Sequence, residues 1–104
     1  MYSEVYKIVE NLNEKHKNDF SSIENPVLIE VKFPDGAVKT FEVGKRGIVE
    51  VDGGQKIEDK IVISSRDLIR VERNRKLILP YLMSGKIKLR GNVKRLMSVI
   101  QDIL

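Results

Sequence analysis

Side chains that commonly carry catalysis or bind metals are scarce in this sequence. The chain has 104 residues, one histidine and no cysteine. The absence of cysteine excludes a thiol nucleophile and every cysteine-based metal site. His16 lies between two lysines in a polar stretch, and the carboxylates near it, Glu14 and Asp19, have the character of surface residues. Because a protein zinc site needs three or four ligands, we predict a surface histidine and no metal site.

The glycines and serines carry no nucleotide-binding or nucleophile motif. The glycine pairs within residues 44–47 and 53–54 match neither a phosphate-binding loop nor a dinucleotide fingerprint, and hairpin turns explain both. No serine has the context of a nucleophile elbow. The acidic pair Glu58–Asp59 beside a strand indicates a solvated position. We therefore predict that the protein is not an enzyme and has no cofactor.

Positive charge is concentrated in the second part of the chain, within a formal net charge of +4. Residues 1–64 hold nine Lys/Arg and twelve Asp/Glu, whereas residues 65–104 hold ten Lys/Arg and three Asp/Glu. Such a segment attracts nucleic acid or an anionic membrane surface, although it is equally typical of a solvated face. The tyrosines and phenylalanines do not cluster there, so we predict that the protein binds no specific nucleic acid. The residues predicted for weak membrane or anion contact are Lys86, Lys88, Arg90, Lys94 and Arg95.

The first 64 residues predict one helix followed by four strands. The helix, with Ser3 as its N-cap, is indicated by apolar residues at helical spacing: Val5, Ile8, Val9 and Leu12. Alternating apolar residues predict a hairpin over residues 27–43, with its turn at Pro34-Asp-Gly36. Strands over residues 48–51 and 60–63 follow, and the glycine turns between them predict an antiparallel meander.

After residue 63 the periodicity becomes helical. Ser64 and Asp67 fit a capped helix start, and Asn74 is placed to end that helix in a left-handed conformation. A short helix over residues 77–83 would hold Pro80 in its first turn or be kinked by it. Lys86 to Arg90 alternates as a half-buried strand.

A final amphipathic helix completes the chain, and Asn92 is its predicted cap. Its apolar stripe consists of Val93, Leu96, Met97, Ile100, Ile103 and Leu104. A helix, four strands, two helices, a strand and a final helix in this order predict a single α+β domain over residues 1–104. Because each helix has one apolar stripe, the helices should cover one face of a five-stranded, mostly antiparallel sheet.

The segment between the last two helices resembles the signature of the sterol carrier protein domain. That signature is a methionine, a polar residue, Gly-Lys-Leu/Ile-Lys, a hydrophobic residue, any residue, and Gly-Asn/Asp before an amphipathic helix. Here it is Met83-Ser-Gly-Lys-Ile-Lys-Leu-Arg-Gly-Asn92. Asp67 precedes Gly85 at the distance found in that family, and the order of elements in residues 1–63 also agrees.

This resemblance implies a non-enzymatic lipid-binding or lipid-transfer module, with a hydrophobic cavity for a sterol, a fatty acyl chain or a related lipid. By analogy, the cavity would be lined by Leu68, Ile69, Leu77, Ile78, Tyr81, Leu82, Met83, Met97 and Ile100. Any core would need the same residues, so a protein-interaction or structural domain with a filled core is the alternative. A basic nucleic-acid-binding module is a third and weaker one. Because the sequence shows no secretory signal and no apolar run long enough to span a bilayer, we expect a cytoplasmic protein.

Overall fold

Five strands and four α-helices form the structure, a computed structural model that describes residues 1–104. The strands are β1 (Val27–Lys32), β2 (Val38–Gly44), β3 (Gly47–Val51), β4 (Lys60–Ser64) and β5 (Ile87–Arg90). The helices are α1 (Tyr2–Lys15), α2 (Ser65–Arg73), α3 (Ile78–Ser84) and α4 (Val93–Ile103), with short 3-10 helices at Phe20–Ser22 and Arg75–Leu77. The predicted α+β class and the order of the elements are confirmed.

The strands form one sheet in the order β3-β2-β1-β4-β5. Neighbours are antiparallel except β1 and β4, which run parallel with Leu28 beside Lys60 and Lys32 beside Ser64. The prediction of a mostly antiparallel sheet is confirmed, but the meander is wrong after β3. Residues 52–59 instead cross over two strands to bring β4 beside β1. Glycine turns show where the chain bends and do not determine which strand the next one pairs with.

The helices cover one face of the sheet, as predicted. On β1 the residues Val27, Ile29 and Val31 face the helices and are buried. The residues that the helices bury in the same hydrophobic core are Val5, Ile8, Leu68, Val71, Tyr81, Leu96, Ile100 and Ile103. Val93, which the predicted stripe of α4 included, is exposed. It lies in the first turn of α4, where the helix has not yet reached the core.

The 52–59 crossover covers part of the opposite face of the sheet. Leu28 and Val62 alternate with the core-facing residues and lie outside the main hydrophobic cluster, yet both are buried. Gly53 passes so close to Thr40 that a Cβ on the glycine would be 3.4 Å from the threonine Oγ1. The crossover therefore shields a strip of the face that the helices leave open.

Side-chain caps fix the starts of α2 and α4. The Ser64 hydroxyl accepts a hydrogen bond from the Asp67 N–H at 3.0 Å. The Asn92 Oδ1 accepts one from the Arg95 N–H, also at 3.0 Å. Each bond satisfies a backbone donor that has no partner within its helix. Both predicted caps are confirmed.

Two predicted helix ends are wrong. Asn74 is extended, with φ −146°, and its side chain accepts from the Lys76 N–H to start the 3-10 helix. All positive φ angles in the chain belong to glycines, which adopt them without the steric cost that asparagine meets. The predicted N-cap of α1, Ser3, is the second wrong one. Helix α1 begins with Met1 as its N-cap and has no side-chain cap, so Ser3 lies inside the helix.

Asn13 of α1 covers the outer edge of β3. Its Nδ2 donates to the Ile48 carbonyl at 2.9 Å, and its Oδ1 accepts from the Ile48 N–H at 2.7 Å. These two bonds are the ones that a neighbouring strand would make. Gly47 has φ +93° and passes so close that a Cβ on it would lie 2.6 Å from Asn13 Oδ1.

Candidate functional site

The nine predicted lining residues lie in three different environments. Leu68, Tyr81 and Ile100 are buried. Met83 is 81% exposed. The half-buried residues are Ile69, Leu77, Ile78, Leu82 and Met97. Met83 points to solvent, so its position does not fit a role in lining the interior.

The space between the helices and the sheet is filled by side chains. Ile100 is 0% exposed and belongs, with Leu68 and Tyr81, to a cluster of 19 buried hydrophobic residues. The partly buried residues of the set that pack against this cluster are Ile69, Leu77, Ile78 and Leu82. The tunnel that the resemblance implies is not shown, and the candidate site is the packed interior beneath α2 and α3.

One of the principal surface grooves includes a predicted lining residue, Ile69. The groove lies between α1 and α2 and has a volume of about 300 Å³. Its other lining residues are Ser3, Glu4, Lys7, Ile8, Asn11, Glu72 and Arg73. Arg73 Nη2 lies 3.8 Å from Glu4 Oε2, which places an ion pair at the groove. Because pockets for apolar ligands are lined mainly by hydrophobic side chains, this groove is a poor candidate for the site.

Helix α3 has a buried side and an exposed apolar side. Tyr81 is buried where α3 packs on β5. The Nζ of Lys86 lies 4.8 Å from the centre of the Tyr81 ring, which is cation–π geometry. Leu79 and Met83 lie one turn apart and are 62% and 81% exposed. Gly85 ends the helix with φ +82°, as predicted.

Arg95, one of the five predicted anion contacts, is held inside the protein's own hydrogen-bond network. Its Nε and Nη2 lie 2.9 and 2.6 Å from Asp59 Oδ2. Its guanidinium also donates to the carbonyls of Asn25 and Pro26, at 2.6 and 3.4 Å. The Asn92 N–H donates to Asp59 Oδ1, and this bond and then Arg95 hold the pKa of the Asp59 carboxyl below its usual value. Arg95 thus joins α4 to the crossover and to the start of β1.

The other four predicted anion contacts are exposed and form no ion pair. Lys88 and Arg90 pair with Val62 and Lys60 of β4, so both point to the face of the sheet opposite the helices. Lys94 lies in the first turn of α4, and Lys86 lies beside α3. Lys88 and Arg90 therefore share one face of the sheet, whereas Lys86 lies over the Tyr81 ring and Arg95 is bonded to Asp59.

His16 is not part of a metal-binding cluster, and no helix has the properties of a membrane span. His16 is the C-cap of α1, and its Nδ1 lies 3.0 Å from Asp19 Oδ2. No three histidine, cysteine or acidic side chains come together in a geometry that could hold a metal ion. None of the helices combines the length and the apolar character needed to cross a bilayer.

Sequence reasoning missed the positions of Leu79 and Asp59. Leu79 and Met83 are four residues apart, which places them on one side of α3, but this spacing alone does not show whether that side faces the core. As part of a lone acidic pair beside a strand, Asp59 is predicted to be solvated, but the structure pairs it with Arg95, 36 residues away in sequence. Only the folded chain brings these two together.

The fold is shared with solved structures of sterol carrier proteins. No family model matches this chain, and no curated protein matches it in sequence. It is similar to the crystal structure of sterol carrier protein 2 like 2 from Aedes aegypti, with a TM-score of 0.78 and 13% identity over 96% of each chain. For the solution structure of sterol carrier protein domain 2 of Helicoverpa armigera, the TM-score is 0.72 and the identity 21%, over 96% of this chain and 87% of that one.

A third similar structure contains a ligand. It is the solution structure of sterol carrier protein 2 from Aedes aegypti in complex with the C16 fatty acid palmitate. The TM-score is 0.67 and the identity 14%, over 96% of this chain and 91% of that one. All three structures match 96% of this chain with TM-scores from 0.67 to 0.78, so the protein has the sterol carrier protein fold.

Proposed function

We propose that this protein is a non-enzymatic lipid-binding or lipid-transfer domain, which takes a fatty acyl chain or a related apolar molecule between its helices and its sheet. The observation that carries the proposal is the match, over 96% of the chain, to a sterol carrier protein in complex with palmitate. The packed interior beneath α2 and α3 supports it, because aliphatic side chains there are only half buried and lie against the core.

Helix α3 is the element that would move to admit the ligand. It follows the extended Asn74 and the 3-10 helix, and it ends at the left-handed Gly85. The regular helix is therefore interrupted on both sides of α3, where backbone rotation could let it move. Tyr81 is the only residue of α3 that is buried. A short element with few buried contacts opens at a lower free energy than the rest of a domain. Displacing α3 would turn the inward side chains of Tyr81 and Leu82 away from the core and open the space over β5.

Burying an acyl chain would supply a free-energy gain that opposes the cost of such a displacement. Each methylene removed from water contributes about 0.8 kcal/mol. Eight buried methylenes would therefore contribute about 6 kcal/mol, against the loss of the contacts of the buried Tyr81 and its half-buried neighbours on α3. Binding of this kind needs apolar area and no acid, base or metal.

The test is a titration of the detergent-free protein with a fluorescent fatty acid, comparing two substitutions on α3. Leu82→Arg places a charge on the half-buried side of the helix and should weaken binding at least tenfold. Leu79→Arg makes the same chemical change on the exposed side and should leave the dissociation constant within about twofold. Far-ultraviolet circular dichroism of both variants controls for folding.

Two results would contradict the proposal. If neither fatty acids nor a sterol analogue bind saturably to the wild type, the interior is a filled core and a protein-interaction or structural domain becomes the better interpretation. If Leu79→Arg weakens binding as much as Leu82→Arg does, the ligand does not lie beneath α3. Native mass spectrometry of the protein purified without detergent gives an independent measure of bound lipid.

A further inference from the structure

The exposed side of α3 stands apart from the other apolar surface of the protein. The large hydrophobic side chains that are exposed are Met1, Tyr6, Val38, Leu79, Met83 and Val93. Of these, only Leu79 and Met83 lie one turn apart on the same helix, and the exposed Pro80 lies between them. Isolated exposed hydrophobic residues are common, whereas contiguous apolar surface rimmed by polar residues marks interaction sites.

The chain segment that contains this helix carries charges of one sign only. From Arg73 to Gln101 the chain has eight Lys/Arg and no Asp/Glu. Lys76 precedes Leu79 by three residues, Lys86 follows Met83 by three, and neither lysine forms an ion pair. We call Lys76, Leu79, Pro80, Met83 and Lys86 the α3 surface.

We propose that the α3 surface docks the protein on an anionic membrane. An apolar strip with lysines at both ends suits the boundary of a bilayer, because aliphatic side chains enter the acyl region while ammonium groups stay at the phosphates. Helix α3 has seven residues, so it would lie in the interface and not span it. Stacking on nucleic-acid bases requires aromatic side chains, and the exposed side chains of this surface are aliphatic.

This inference rests on the proposed function and adds the site of loading. Docking through Leu79 and Met83 would set the outer side of α3 in the bilayer, while Leu82 and Tyr81 on its other side face the core. Moving the same helix would then open the interior toward the membrane. Of the basic residues predicted from the sequence to contact a membrane, Lys86 remains part of the proposed surface. Arg95 does not, because its guanidinium is bonded to Asp59.

The first experiment uses the absence of tryptophan from the chain. Met83→Trp places a single fluorophore in the α3 surface, and Val38→Trp places one at an exposed apolar position on β2. The probes are vesicles of phosphatidylcholine alone and of phosphatidylcholine mixed with phosphatidylserine. We expect a blue shift of the Met83→Trp emission with the mixed vesicles at low salt, and no shift for Val38→Trp.

The second experiment measures co-sedimentation with the same vesicles. Leu79→Glu should lower the bound fraction on mixed vesicles at least tenfold, whereas Val38→Glu, with the same change of charge, should change it less than twofold. Raising the salt concentration should weaken wild-type binding, because it screens the lysines. Equal melting temperatures for the two variants exclude unfolding as the cause.

The outcomes separate this inference from the proposed function. Unchanged vesicle binding of Leu79→Glu, or an unshifted Met83→Trp emission, would overturn membrane docking even if the fatty acid still binds in solution. A blue shift that follows protein concentration without vesicles would also overturn it, in favour of contact with a second copy of the chain. Intact docking without saturable fatty-acid binding would instead overturn the proposed function.

Discussion

Replacing Ile100 by alanine should destabilise the protein far more than replacing Met97, three residues earlier on the same helix. Ile100 is 0% exposed and belongs to the hydrophobic core, whereas Met97 is half-buried and outside that cluster. Ile100→Ala removes three buried carbon groups, a loss of about 2.4 kcal/mol at about 0.8 kcal/mol each. The cavity left behind raises the total to about 3–4 kcal/mol. Met97→Ala should cost about 1 kcal/mol or less.

Urea denaturation followed by circular dichroism measures the loss in free energy of unfolding for both variants, and a thermal melt measures the shift in Tm. For a domain of about 100 residues, 1 kcal/mol corresponds to a shift in Tm of roughly 4–8 °C. Ile100→Ala should therefore lower Tm by about 12–32 °C, and Met97→Ala by about 8 °C or less. Unchanged m values for both variants would show that the denatured state is the same and that the comparison is valid.

Either of two results would contradict the predicted difference between Ile100→Ala and Met97→Ala. A cost below about 0.5 kcal/mol for Ile100→Ala would mean that this side of α4 does not face the core. Equal costs for the two variants would mean that burial on α4 does not alternate as the structure shows. Because the two positions share one helix, a general change in helix propensity would affect both and would not produce the expected difference.

Two further predictions concern the loops. Because hydrogen bonds lower the pKa of Asp59 below 3.8, the stability it contributes is present above that pH and is lost as the pH falls through the folded-state pKa. Asp59→Asn should therefore flatten the acid side of the pH–stability curve, and an unchanged acid side would contradict the role of the carboxylate. Gly47→Ala should cost more than Gly36→Ala, since both glycines have positive φ but only Gly47 meets a side chain, that of Asn13. Equal urea midpoints for the two alanine variants would disprove that close contact.

Local signals allowed much of the fold to be predicted. The caps formed by Ser64 and Asn92 involve residues only three positions away, so short sequence patterns contain all the necessary information. The same holds for the end of α3 at Gly85, where the left-handed conformation strongly favours glycine. The prediction of a left-handed Asn74 was wrong because that conformation is permitted for asparagine but not strongly favoured. The Asn74 side chain instead caps the 3-10 helix by accepting from the Lys76 N–H.

Features that depend on distant pairing could not be predicted in the same way. The parallel contact of β4 with β1 arises from a crossover whose sequence resembles an ordinary glycine-containing loop. At the candidate site, helical spacing identified the apolar residues of α3 but not which of them turn inward. Leu82 and Met83 are neighbours in sequence and differ in burial, because the packing of Tyr81 on β5 fixes the rotation of the helix.

The position of Asn13 beside β3 bears on how the protein avoids self-association. A sheet with five strands has two free edges, and an unpaired edge is a template on which another chain can add a strand. On β3 that template is interrupted where the Asn13 amide occupies both backbone groups of Ile48. The other edge strand, β5, has the exposed charges of Lys88 and Arg90, and charged side chains on an edge strand disfavour the addition of a further strand. Asn13→Ala would free the Ile48 groups, and we expect concentrated solutions of that variant to form intermolecular sheet that the parent does not form.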